Sequence, residues 1–175
     1  MTRMIAEDGA MIDLKSHWDL SFISGRRFPK DIGGPVLFDL DLDIEGRRMP
    51  TFFTTPALVA KKSFYSDLVD AGVDNIDVYP CVITLPETGE KNSEYQVLNI
   101  VGLCSCANMD ASEYSTLGPS IHIIDELVID RQRLPDALMF RLAEDSGKII
   151  ISDPLYRFLS RRSYGDIFFE KIRVQ

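Results

Sequence analysis

Residue types able to do chemistry are spread thinly along this chain of 175 residues, and the most ordered of them form a row of carboxylates. Val36-Leu-Phe-Asp-Leu-Asp-Leu-Asp-Ile44 alternates apolar and acidic residues, the period of a half-buried strand, which sets Asp39, Asp41 and Asp43 on one solvent face. Such a row either discourages pairing at a sheet edge or meets a basic partner. A calcium loop is excluded, because an apolar residue stands where that loop needs its sixth-position glycine and Pro50 stands where it needs glutamate. The second constellation is Asp110, Ser112, Glu113 and Tyr114, a polar group with an aromatic on what reads as a long connection. Its side chains suit recognition, while Asp110 and Ser112 also suit plain capping and turn roles.

The remaining candidates are weaker. Cys104 and Cys106 would point to one side of a strand, but only His17 and His122 are available to complete a four-ligand zinc site. Small core residues are the expectation for both thiols. His122 is expected as a solvated strand residue or as a partner of Asp125 or Glu126. Arg157, Arg161 and Arg162 read as a solvated helix face, with anion or partner binding as the alternative. No nucleophile elbow, phosphate loop or His-Glu metal helix is present, so no catalytic, cofactor-binding or metal-binding residue is expected.

The elements that must position these groups are clearest at the end of the chain. Leu138–Leu142 and Lys148–Ser152 read as strands around an Asp145-Ser-Gly147 turn. Asp153 can then cap a helix begun by Pro154, with Leu155, Phe158 and Leu159 on one face. Gly165 is expected to supply the left-handed turn that ends this helix, before a last strand at Ile167-Phe-Phe169 and Ile172. The same grammar starts at Thr55-Pro56, with Ala57, Ala60, Phe64, Leu68 and Ala71 as a helical stripe, Gly72 as its end and a strand at Ile76–Leu85. Either a weak duplication or two ordinary helix-to-strand units produce that recurrence. Pro80 within the strand implies an edge or a bulge.

Tyr95–Ala107 reads as one mostly buried strand, in which Asn99 needs partners, and Ile121–Ile129 as another. Residues 1–34 read as an arm and loop packed by Trp18 and Phe22, ahead of a unit spanning 35–175. The sum is an α+β fold in one domain, with a mainly antiparallel sheet of six or more strands and two amphipathic helices.

The totals narrow the function. Twenty-seven acidic against nineteen basic residues give a net charge of −8, which disfavours general nucleic-acid binding and suits a basic protein partner. The N-terminus lacks the apolar core of a signal peptide, no window approaches the roughly 20 apolar residues of a membrane span, and the three cysteines suggest no disulfide framework. A cytoplasmic location with reduced thiols is expected, without membrane partners.

Phe140-Arg141-Leu142, Ile150-Ile-Ser-Asp153, Leu159, Gly165 and Phe168-Phe169 resemble the C-terminal signature of the MXAN-type immunity domain. The likeness extends upstream through Gly72-Val-Asp-Asn-Ile76, Tyr79-Pro80, Tyr95, Asn99–Leu103, Asn108-Met-Asp110 and Ser112, and departs from the expected pattern at Cys104 and Cys106. The resemblance implies a non-enzymatic immunity protein of a bacterial polymorphic toxin system, whose partner is a cognate toxin domain. A basic, nuclease-like toxin would suit Asp39, Asp41, Asp43, Asp110, Glu113 and Tyr114 as its contact residues. A small-molecule enzyme or ligand-binding domain is the alternative.

Overall fold

The computed structural model describes residues 1–6, 11–40, 49–117, 121–162 and 164–175. In chain order the elements begin with β1 (Thr2–Ala6), β2 (Ile12–Leu14), β3 (Val36–Leu40), β4 (Phe52–Phe53), β5 (Val59–Lys61) and α1 (Lys62–Asp70). There follow β6 (Ile76–Thr84), β7 (Lys91–Asn92), β8 (Tyr95–Ile100), β9 (Leu103–Cys104), β10 (Glu113–Leu117), β11 (Ile121–Glu126) and β12 (Val128–Ile129). The chain closes with β13 (Met139–Leu142), β14 (Ile149–Ile151), α2 (Asp153–Leu159), β15 (Ile167–Lys171) and β16 (Arg173–Val174). Strands therefore dominate, with two α-helices among the described residues, an α+β arrangement.

Two larger sheets organise it. One runs β2-β3-β6-β8-β5-β4, with β7 added to β6, and the other runs β15-β1-β14-β13-β9. Most neighbours are antiparallel; β3–β6, β9–β13 and β12–β16 are parallel. The inner strands of both sheets are buried on both faces, as the alternation along β14 and β8 shows. Ile149 and Ile151 enter a central core with Leu98, Ile100, Phe64, Leu68, Leu155 and Leu159, so both helices pack between the sheets. Ile150 points the other way, into a core with Phe140, Leu142, Ile124, Ile129 and Cys106. Val59 and Val97 likewise turn from the central core into a further one with Phe22, Phe38, Tyr79 and Ile83.

The terminal unit takes the expected order of hairpin, helix and strand. Two details differ. Ser152, not Asp153, caps α2, its hydroxyl accepting from Leu155 N–H at 3.4 Å. Gly165 has no left-handed backbone and lies beyond the helix end at Leu159, whereas Gly72 after α1 does, at φ 91°. The first helix starts later than expected. Val59 and Ala60 pair with Val97 and Gln96 of β8, so sheet pairing overrides the helical spacing, and the helix begins at Lys62. Ala57 and Ala60 accordingly face different cores, and the two units do not share one pattern.

The expected strand Tyr95–Ala107 is broken at Gly102, whose φ of 96° lets the chain leave one sheet and enter the other as β9. Pro80 sits at a change of partner: β6 pairs with β8 through Pro80 and with β3 from Cys81 onward, so no β3 donor is needed at the proline. Thr2–Ala6 is an inner strand between β14 and β15. Further along, Phe22 is buried and edge-on to Phe28, and Tyr79 Oη donates to Phe28 O at 3.0 Å. Trp18, expected to pack, is 72% exposed.

Candidate partner-binding surface

Asp39 and the polar loop group lie on different sheets. On β3, Phe38 and Leu40 are buried while Leu37 and Asp39 face solvent, as the alternation requires. Asp39 stands opposite Asp13 of β2 and meets Lys15 Nζ at 3.3 Å. Asp41 and Asp43 lie outside the described residues.

The stretch around Glu113 is a strand, which corrects its reading as a long connection. β10 and β11 form a separate two-stranded ribbon, and every residue of β10 is exposed. Tyr-Ser-Thr-Leu before Gly118-Pro119 was the overlooked signal: β-prone residues followed by turn residues and a second apolar run mark a hairpin. The ribbon is fixed at one end by Ile124, buried beside Phe140 and Ile150. Ser112 serves this anchorage, its hydroxyl donating to Asn108 O at 2.7 Å and accepting from Val128 N–H at 2.9 Å. Asp110 precedes it in an exposed turn.

Three features of the ribbon bear on binding. Leu117 and Ile123 share one face and are 63% and 46% exposed. Tyr114, on the other face, packs edge-on to His122 with ring centroids 5.3 Å apart. Glu113 lies directly opposite Glu126, both exposed, an arrangement of like charges that destabilises a strand pair. Ile123 was missed because an apolar residue within an apolar strand reads as buried, and Leu117 because its stretch read as part of a connection. His122 packs on Tyr114 rather than pairing with Asp125 or Glu126.

The arginines do not act as one group. Arg162 pairs with Asp67 at 3.2 Å and stacks on Phe158, joining the end of α2 to α1, and Tyr164 Oη donates to the same Asp67 carboxylate. Burial and that carboxylate push the Tyr164 hydroxyl up. Arg157 instead lines a half-open cleft of about 360 Å³ with Thr2, Asp153, Tyr156, Phe169 and Lys171. There the Asp153 carboxylate accepts from the Met1 amino group at 2.9 Å, an interaction that holds it below the ordinary carboxylate range. Two cations, one carboxylate and an aromatic pair 5.2 Å apart give this cleft the groups to hold a small anion.

Burial pushes Cys81 up to about 12 and raises Cys104 and Cys106 as well, the reverse of what metal binding or nucleophilic chemistry requires. Among the described residues no group of three potential ligands converges on a metal position, and no helix is long and apolar enough to cross a membrane. Arg141 is a fully buried cation on β13, with one hydrogen bond among the described residues, Nη1 to Ser146 O at 2.8 Å.

In comparison with known proteins, no family model matches the chain and no curated protein matches it.

Proposed function

We propose that this chain is an immunity protein that neutralises a basic antibacterial toxin domain by direct binding, without catalysis of its own. The observation that carries the reading is the β10–β11 ribbon, which sets exposed apolar side chains beside an opposed pair of glutamates. A net charge of −8 and the resemblance of the region from Phe38 to Ile172 to the immunity domain support it. On this reading the chain is one domain with two amphipathic helices, and it acts in the cytoplasm, where it would meet a toxin.

Electrostatic complementarity of this kind mainly raises the association rate. Replacing Asp39, Asp41 and Asp43 by lysine then slows association at low salt, whereas unchanged kinetics would remove that row from the interface. The deciding experiment is co-expression with the toxin domain encoded beside the chain, followed by pull-down. Growth rescue with a stable complex supports the reading. Rescue without a complex points to an enzymatic antidote, and absence of rescue removes the immunity role. A second reading, a small-molecule enzyme or ligand-binding domain, is favoured by the cleft holding Arg157 and Lys171. Native mass spectrometry of the purified chain would reveal its ligand.

A further inference from the structure

We propose that β10 is a docking edge that binds its partner by strand addition, and that the added strand alternates apolar with basic residues. The inference rests on the binding-protein reading above and specifies its geometry.

In an antiparallel pair, residues whose N–H and C=O face the partner strand alternate with residues whose groups face away. Ile124 N–H donates outward, to Asp145 Oδ2 at 3.3 Å, so Ile124 and its register partner Tyr114 form a pair facing away. Thr116 and His122, two residues further along the ladder, form the next such pair. The outer edge of β11 is thus covered at Ile124 by the Asp145 turn. Tyr114 and Thr116, by contrast, turn their N–H and C=O groups away from β11 with no protein partner among the described residues. Proteins ordinarily blunt such edges with charge, proline or cover. Here Tyr114 and Leu117 remain exposed beside the edge.

The charges select the occupant. Glu113 and Glu126 oppose each other across the ribbon, and Asp110 lies just before them. A lysine or arginine from an added strand would relieve that repulsion, while Leu117 and Ile123 offer contacts to apolar side chains at the other end. A second copy of this chain is a poorer occupant, because it brings a net charge of −8 of its own. Strand addition draws affinity from backbone hydrogen bonds and specificity from alternate side chains.

The test is panning of a phage-displayed library of short random peptides against the full chain, followed by amide exchange on the labelled protein with an enriched peptide. The expected peptides alternate apolar residues with lysine or arginine. Their binding slows exchange at Tyr114 and Thr116, and Thr116→Pro, which removes one outward donor, weakens it by about tenfold. Should Thr116→Pro disturb the ribbon, Glu113→Lys with Glu126→Lys provides the independent check, by turning selection toward acidic peptides. Peptides without basic residues, unchanged exchange at Tyr114 and Thr116, no enrichment, or a dimer in light scattering that Thr116→Pro abolishes would each overturn the proposal. The two readings separate cleanly. A toxin that binds without protecting these amides sinks the docking edge alone, and peptides that dock where no toxin is neutralised sink the immunity role alone.

Discussion

Arg141→Met should make the protein more stable, contrary to the usual result of removing a fully buried side chain. The guanidinium is 0% exposed, and its Nε and Nη2 have no hydrogen-bond partner among the described residues. Burial alone lowers it from the ordinary guanidinium value to about 10. At about 1.4 kcal/mol per decade, that displacement corresponds to about 3 kcal/mol lost at neutral pH, where the group is charged in both folded and unfolded chains. Methionine fills a similar volume and needs no partners, but it forfeits the bond to Ser146 O, worth about 1 to 2 kcal/mol for a charged donor. The balance is a gain of about 1 to 2 kcal/mol, or roughly 2 to 8 °C in Tm for a chain of this size. Denaturant unfolding of both proteins at pH 7, with m-values compared, measures it directly. A variant equal to or weaker than the parent would refute the reasoning, because it would mean that the guanidinium is satisfied by buried water.

Gly25→Ala should cost about 2 kcal/mol or more, since its φ is +68° and an added Cβ would lie 2.7 Å from Leu103 Cγ and 2.9 Å from the Gly102 carbonyl carbon. Gly33→Ala, at φ +86° with open space around it, should cost only about 1 kcal/mol, and equal melting points for the two variants would contradict this docking of the arm. Leu159→Asp places a carboxylate at a position 1% exposed between the sheets and should unfold the protein, whereas an unchanged melting curve would disprove the placement of α2. Thiol reagents at pH 8 should modify Cys104 before Cys81 and Cys106, which react only on unfolding. Because burial raises the Cys81 thiol to about 12, the folded chain keeps a proton that the unfolded chain releases near pH 9, and stability falls as pH climbs between them. Cys81→Ala should lose less stability over that window, and equal losses in denaturant midpoints would exclude Cys81 as a contributor.

The sequence by itself determined the units whose signals are local. The hairpin, α2 and β15 follow from turn residues, a proline at the helix start and apolar spacing within some forty residues. The burial of Phe38 and Leu40 against a half-buried Asp39 follows from period-2 alternation alone. Tertiary structure decided the rest, because pairing depends on partners far along the chain. Thr2–Ala6 is an inner strand only because Ile149–Ile151 and Ile167–Lys171 lie on either side of it. Val59 and Ala60 leave a helical stripe for a strand because β8 offers hydrogen bonds and a second core. The candidate binding surface was legible only as residue types, with Glu113 and Tyr114 reading as a recognition group. Its open edge, the opposition of Glu113 to Glu126 and the exposure of Leu117 and Ile123 were not, because register across the ribbon sets which backbone groups and side chains turn outward.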